Sequence, residues 1–138
     1  MSPDGRWLAY SSNETGSYEV FVRPLPDVNS TRVLVSRDGG RGPLWAHSGR
    51  ELFFVGEDRG LVAAQFDPAS GQVLAQETLF TIPAGYLVNP GDNFYDITSD
   101  DQRFLMVRPY QGEGEAAATE VIVVENFFEE LKERVPVP

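Results

Sequence analysis

Few side chains in this sequence have the types and spacing that catalysis needs. His47 is the single histidine, cysteine is absent, and no serine lies in a Gly-x-Ser-x-Gly motif. A serine hydrolase requires a serine, a histidine and a carboxylate in one constellation, and a thiol enzyme requires a cysteine. Because neither set can be assembled, we expect a structural role for His47 and no catalytic residue in the chain.

Carboxylates cluster once, at Asp92, Asp96, Asp100 and Asp101. Calcium prefers oxygen ligands of this kind, but an EF-hand loop also needs a glycine at its sixth position and a glutamate at its twelfth, and the cluster has neither. We therefore expect these aspartates to stabilise turns. No metal site and no cofactor-binding residue is predicted.

The charge balance limits the partners. The 138 residues include 21 acidic and 11 basic side chains, for a formal charge of −10, which repels phosphate backbones and anionic lipid surfaces. No uninterrupted apolar segment reaches the roughly 18 residues of a membrane span. We expect a protein or small-ligand partner, no nucleic acid and no direct membrane insertion.

One segment recurs along the chain. Ser2–Tyr10 is matched by Ala46–Phe54, and Thr98–Met106 is a looser third copy, interpreted with one extra residue after its turn. The offsets are 44 residues from Asp4 to Ser48 and 52 from Ser48 to Asp100. Both are close to the roughly 40–50 residues of one β-propeller blade.

Each copy combines a tight turn with an apolar strand. In the first copy proline fixes φ, aspartate hydrogen-bonds the backbone two residues on, and glycine accepts a positive φ. The predicted turn residues are Ser2, Pro3, Asp4, Gly5, Ser48, Gly49, Asp100 and Asp101. His47 and Ser48 replace the Pro-Asp pair, and Asp101 replaces the glycine, so we expect the second and third turns to be looser.

The segments between the turns have the composition of β-strands. Strands are predicted at Trp7–Ser12, Tyr18–Arg23, Arg32–Ser36, Pro43–Ala46, Glu51–Val55, Leu61–Phe66, Val73–Leu74, Thr78–Thr81, Phe94–Ile97, Arg103–Arg108 and Glu120–Val124. Residues 83–91 and 111–119 are predicted loops, and a short helix capped by Asn126 follows. The recurring aromatic residues Trp7, Tyr10, Trp45, Phe53, Phe54, Phe94 and Phe104 are expected to pack between blades.

The motifs at Ser2–Tyr10, Gly42–Phe54 and Arg103–Val107 resemble the WD40-like Ser-Pro-Asp-Gly repeats of TolB-type β-propellers. With the strand-plus-helix ending from Val123 to Pro136, the chain most resembles the C-terminal propellers of bacterial serine/threonine protein kinases. This resemblance implies an all-β partial propeller of about two and a half to three four-stranded antiparallel blades. The expected parts are a blade lacking its inner strand (1–40), a complete blade (41–82), a last blade (92–125) and a C-terminal helix (126–135).

The resemblance implies a non-enzymatic scaffold that binds a protein or ligand, as the sensor part of a kinase-type parent. No kinase motif occurs in the chain, so kinase activity would belong to another region. The scaffold would lie outside the cytoplasmic membrane if a membrane helix separates it from the kinase. The alternatives are a TolB-like periplasmic interaction protein and the propeller of a prolyl-oligopeptidase-type peptidase. Self-association through the open propeller edge at Trp7–Ser12 is also expected.

Overall fold

The structure, a computed structural model, describes residues 1–86, 95–109 and 119–124, and every regular element in these ranges is a β-strand. The strands are β1 (Trp7–Ser12), β2 (Glu19–Pro24), β3 (Val33–Leu34), β4 (Arg41–Trp45), β5 (Glu51–Val55), β6 (Gly60–Asp67), β7 (Gln72–Thr81), β8 (Tyr95–Ile97), β9 (Phe104–Pro109) and β10 (Thr119–Val124). The prediction of an all-β chain is confirmed.

The strands form three antiparallel sheets. Blade 1 has the order β1-β2-β3, blade 2 the order β4-β5-β6-β7, and blade 3 the order β8-β9-β10. Each strand pairs with its neighbour in sequence, as expected where short turns join antiparallel strands. Blade 2 has four strands, whereas three strands are described in each of the other two blades.

The apolar pattern explains why these segments are strands. β5 is the run Glu-Leu-Phe-Phe-Val with its last four side chains buried, because blades cover it on both faces. β2 likewise buries three successive side chains, Val20, Phe21 and Val22. The outer strand β7 is mostly exposed or half-buried, and Leu79 is its buried side chain.

Most strands begin or end one or two residues from their predicted bounds, and two strands, β7 and β3, differ most. Val73–Leu74 and Thr78–Thr81 belong to one continuous strand, β7, because the residues between them, Ala75, Gln76 and Glu77, also pair with β6. The two register shifts in this ladder skip Leu74 and Leu79. β3 is only Val33–Leu34, shorter than the predicted Arg32–Ser36. Ser36 leaves the ladder because its hydroxyl accepts a hydrogen bond from the Val20 N–H at 2.9 Å.

Pro43 lies inside the inner strand of blade 2, where a missing N–H would normally break the ladder. The register between β4 and β5 shifts between Arg41 and Leu44, so Pro43 sits in a bulge. Gly42 in the same bulge has a φ of +63°. Pro43 therefore stands outside the register pairs of this ladder, where its missing N–H breaks no ladder hydrogen bond.

Two apolar cores hold the blades together. The core between blades 1 and 2 contains Trp7, Val20, Val22, Val35, Trp45, Leu52, Phe54, Ala64 and Phe66. The core between blades 2 and 3 contains Ala46, Phe53, Val55, Leu61, Ala63, Leu79, Ile82, Tyr95, Ile97, Phe104 and Met106. Alternate residues of β5 thus enter different cores, with Phe53 facing blade 3 and Phe54 facing blade 1.

Several predictions fall outside the described residues: most of the 83–91 loop, the 111–119 loop except its last residue, Phe94, Asp92 and the helix at 126–135. Among the residues that the structure does describe, no helix is long and apolar enough to cross a membrane.

Candidate functional site

Antiparallel connectivity gives the blades two chemically different ends. The turns between β4 and β5 and between β8 and β9 lie at one end, together with Ser2–Gly5 before β1; this is called the turn end. The loops at 35–40 and 56–59 lie at the opposite end, called the loop end. These two ends are the surfaces on which connecting segments can contact a partner.

All three turns at the turn end make the same backbone hydrogen bonds. Ser2 N–H donates to Trp7 C=O at 2.7 Å, Ala46 N–H to Glu51 C=O at 2.9 Å, and Thr98 N–H to Arg103 C=O at 2.9 Å. Each bond spans five residues. The third turn therefore has the same length as the others, and the predicted extra residue is wrong.

The side chains decide how tightly each turn is held. In the first turn the Ser2 hydroxyl donates to the Asp4 carboxylate at 2.7 Å and accepts from Trp7 N–H at 3.0 Å. Thr98 and Asp100 repeat both bonds in the third turn. Only the second turn, where Ala46 stands at the serine position, lacks the hydroxyl. The third turn is therefore not looser in hydrogen bonding, and Asp101 adopts the φ of +58° that glycine was expected to supply.

These hydrogen bonds lower the pKa values of two turn carboxylates. The Ser2 hydroxyl, followed by the Arg6 N–H, holds the pKa of Asp4 below its usual range. The Thr98 hydroxyl, followed by the Gln102 N–H, does the same for Asp100. Both side chains are therefore ionised turn anchors at neutral pH.

Asp101 connects the third turn to the second. Its carboxylate accepts hydrogen bonds from the His47 N–H at 2.8 Å and the Ser48 N–H at 3.1 Å, and it lies 2.8 Å from His47 Nδ1. The predicted turn residues Ser48 and Asp101, from different repeats, thus come into direct contact. His47 serves in this contact between turns.

Asp96, Asp100 and Asp101, the members of the carboxylate cluster that the structure describes, do not converge. Asp96 caps the N–H of Ile97 at 2.8 Å, while Asp100 and Asp101 turn to different partners. Within the described ranges, no three histidine, aspartate or glutamate side chains gather as a metal site would require. These side chains instead accept hydrogen bonds from backbone N–H groups of their own segment or of a neighbouring turn.

A groove opens between blades 1 and 2 at the loop end, with a volume of about 400 Å³. Phe54 and Val62 form its apolar floor, and the loop at 37–39 forms one wall. Gly39, with φ of +90°, lets this loop approach blade 2 closely, because a Cβ there would lie 2.4 Å from Glu57 Cγ. The groove is thus formed by backbone that packs closely between two blades.

The groove is lined by four carboxylates and one arginine: Asp38, Glu57, Asp58, Glu77 and Arg37. Glu57 pairs with Arg41 at 3.1 Å, and Asp58 accepts the Gly60 N–H at 2.9 Å. Asp38 and Glu77 are exposed and make no hydrogen bond or ion pair within the described residues. Their charges are therefore available to a cationic group.

A second cavity of about 440 Å³ lies at the turn end of blade 2, between Arg50, Glu51, Gln65, Phe66, Asp67, Pro68 and Leu74. Burial, with a smaller contribution from the charge of Asp101, raises the pKa of Glu51. The Asp67 carboxylate accepts hydrogen bonds within its own turn, from the Ala69 N–H and the Ser70 hydroxyl. This cavity has mixed charge, in contrast to the acidic groove.

Three residues that organise these surfaces were missed by the sequence patterns. Phe66 packs edge-on against Trp7 and Trp45, with ring centroids 5.3 and 5.1 Å apart. The buried Tyr95 hydroxyl donates to Gly42 C=O at 2.6 Å, and burial raises its pKa well above the usual range. Gly71 has φ of +74° beneath the Trp7 indole. The Ser70-Gly71 pair was a turn signal, but its contact with Trp7 was not encoded locally.

No family model matches the sequence, and a search of curated proteins finds no significant match. Solved structures do match. An oligogalacturonate lyase from Vibrio parahaemolyticus is 13% identical with a TM-score of 0.62, and the match covers 91% of this chain and 35% of the lyase. A putative TolB from Agrobacterium tumefaciens is 14% identical with a TM-score of 0.61, covering 91% and 44% of the two chains.

The β-propeller domain of the Trilobed protease from Pyrococcus furiosus also matches, at 18% identity and a TM-score of 0.51, over 91% of this chain and 39% of that one. The fold is that of a partial β-propeller. At these identities the likeness concerns the fold alone. The chain spans less than half the length of each of these proteins.

Proposed function

We propose that this propeller segment is a non-enzymatic binding scaffold whose loop-end groove receives a cationic group of a protein or small ligand. The observation that carries the proposal is the pair of exposed carboxylates, Asp38 and Glu77, above the apolar floor of Phe54 and Val62. Blades packed on both sides hold this groove rigid, and a preformed site loses little entropy on binding.

The test is an amide NMR titration of the full chain with arginine amide as the probe and acetate as the anionic comparison. We expect arginine amide to shift the resonances of residues 56–60 and 76–78, and acetate to leave them unchanged. The double variant Asp38→Asn/Glu77→Gln should lose the response.

The matched control is Asp27→Asn/Glu14→Gln, which changes the net charge equally on exposed residues outside the groove. This control should keep the response. Equal weakening in both double variants would assign the effect to overall charge and contradict the groove proposal.

A parent of the bacterial serine/threonine kinase type is proposed on the sequence resemblance of the repeats. Reading the native gene upstream of the Met1 codon tests it. Further Ser-Pro-Asp-Gly repeats preceded by a membrane helix and kinase motifs would support the kinase-type parent and place the scaffold outside the cytoplasmic membrane. Repeats without kinase motifs would favour a TolB-like interaction protein, with which the fold likeness to the putative TolB is consistent.

A further inference from the structure

The cavity at the turn end of blade 2 contains two oppositely charged side chains that do not pair with each other. Arg50 precedes β5 and Glu51 is the first residue of that strand, and both line the cavity. Arg50 is exposed and Glu51 is half-buried. Among the described residues, neither side chain makes a hydrogen bond or an ion pair. The cavity therefore offers a positive and a negative group to a ligand.

A neutral polar group stands beside these charges. Gln65 pairs directly with Glu51 in the antiparallel register of β5 and β6, so the two side chains lie on the same face of blade 2. The Gln65 amide is exposed and has no hydrogen bond among the described contacts. Because an amide both donates and accepts, it can bind either charged group of a ligand.

Leu74 adds an apolar contact to the cavity. The register between β6 and β7 skips this residue, so it lies in a bulge, where a side chain is often turned away from the regular sheet pattern. Leu74 is 63% exposed and lines the cavity together with Pro68. An apolar group that covered Leu74 would gain the free energy of removing both surfaces from water.

The cavity is formed by blade 2 alone. Its lining residues all lie between Arg50 and Leu74, in the four-stranded sheet that has a described blade on either side. Its volume of about 440 Å³ is typical of sites that bind small molecules. The size and the lining thus suit a small ligand that has both charges and an apolar part.

We propose that this turn-end cavity binds a free α-amino acid with an aliphatic side chain. Arg50 binds the carboxylate, Glu51 binds the ammonium group, and Leu74 contacts the aliphatic side chain. Arg50 and Glu51 are consecutive, with Cα atoms about 3.8 Å apart, and so suit two charges that a single carbon atom separates. Because the ligand is neutral overall, the net charge of −10 does not repel it. The proposal does not depend on the loop-end groove.

An amide NMR titration of the full chain with L-leucine tests the proposal. Three comparison ligands each lack one recognised group: leucinamide lacks the carboxylate, 4-methylpentanoate lacks the ammonium group, and glycine lacks the side chain. We expect leucine to shift the resonances of Arg50, Glu51, Gln65 and Leu74. Each comparison ligand should bind at least about tenfold more weakly, because it loses a charge-assisted hydrogen bond or the apolar contact.

Two variants remove the charges one at a time. Arg50→Gln and Glu51→Gln should each raise the dissociation constant for leucine by at least about tenfold. The matched controls are Arg6→Gln and Asp27→Asn, which make the same changes of charge at exposed residues outside the cavity and should bind leucine normally. Equal weakening in a variant and its control would overturn the proposal, as would equal binding of leucine and leucinamide by the unmodified chain.

The location and the length of the ligand are tested in the same titrations. The dipeptide leucyl-leucine has its two charges one residue further apart and should bind more weakly than leucine. Tighter binding of the dipeptide would overturn the assignment to a free amino acid. Leucine shifts confined to residues 56–60 and 76–78 would also overturn the proposal, because those residues report on the loop-end groove, which the arginine amide titration tests separately.

Discussion

The contact between blades 1 and 2 and the contact between blades 2 and 3 use similar apolar packing but different polar ties. Both cores are built around perpendicular aromatic pairs, Trp7 with Phe66 in the first and Phe53 with Phe104 in the second. In the first contact the Trp7 indole N–H donates to Pro68 C=O at 3.1 Å. In the second, Tyr95 and Asp101 supply the bonds.

The turns make the difference clearest. A Cβ at Gly49 would lie 3.7 Å from Pro3 Cδ, so the second turn faces a ring without an N–H donor. One repeat later, Asp101 occupies the glycine position and faces His47 and Ser48, which both offer N–H groups. The residue that suits the glycine position of a turn therefore depends on the turn that faces it. An acceptor at this position stabilises the contact only where a donor lies opposite.

The largest effect is expected for Gly71→Ala in the first contact. A Cβ at this position would lie 2.5 Å from Trp7 Cη2, and φ is +74°. Overpacking and the positive φ together should lower the free energy of unfolding by about 2–4 kcal/mol in denaturant titrations. Gly16→Ala is the control, since Gly16 has φ of +105° and open space around it. An equal loss in both variants would mean that Trp7 is not held against this turn.

Tyr95→Phe tests the second contact. The substitution removes the hydroxyl that donates to Gly42 C=O and leaves this buried carbonyl without that partner. We expect a loss of about 1–3 kcal/mol in the free energy of unfolding. Tyr18→Phe, at a half-buried phenol with no hydroxyl bond among the described contacts, should change stability by less than about 0.5 kcal/mol. An equal loss in both variants would mean that the hydrogen bond from Tyr95 to Gly42 adds no stability of its own.

Substitutions at the equivalent positions 49 and 101 test whether each residue depends on the turn that faces it. Asp101→Gly removes the bonds to His47 and Ser48 but relieves a non-glycine φ of +58°, so the net loss should be about 1 kcal/mol. Gly49→Asp should also cost about 1 kcal/mol, because the new side chain gains no donor from Pro3 and adopts a positive φ. Thermal or denaturant unfolding at neutral pH measures both. A higher free energy of unfolding for Gly49→Asp would contradict the expectation that an acceptor at this position needs a donor opposite it.

The smallest effect is expected for Glu51→Gln, and it depends on pH. Burial raises the pKa of Glu51 in the folded chain, so ionising this side chain opposes folding. The free energy of unfolding of the unmodified chain therefore falls as the pH rises above the ordinary pKa of glutamate, because the folded chain must then ionise a partly buried carboxyl group. The variant should be more stable than the unmodified chain at pH 7 and equal to it in acid. Stability curves that stay parallel from acid to neutral pH would contradict this assignment.

Much of the fold could be predicted from local patterns. The strand at Trp7–Ser12 and the strand at Glu51–Val55 are present with the predicted bounds, because short apolar runs between turn residues strongly favour strands. The bounds of β3 and β7 could not be predicted this way. Ser36 leaves one ladder for a side-chain hydrogen bond, and the pairing of β7 with β6 continues through Gln76 and Glu77. Both effects depend on the partner strand.

The candidate surfaces were less predictable than the strands. The sequence predicted strands at Val73–Leu74 and Thr78–Thr81, on either side of Glu77, and did not place Glu77 and Asp38 on one groove. They are far apart in sequence and meet only because blade 1 packs across blade 2.

By itself the sequence determined the turns and the alternation of side chains, because proline, glycine and aspartate constrain the backbone within a few residues and apolar periodicity selects a face. The prediction that Asp101 loosens the third turn was wrong, because aspartate tolerates the φ of +58° that it adopts there. Only the tertiary structure decided that this carboxylate reaches His47 and that Trp7 covers Gly71. Those contacts depend on the spacing and angle between packed sheets, which no local run of residues specifies.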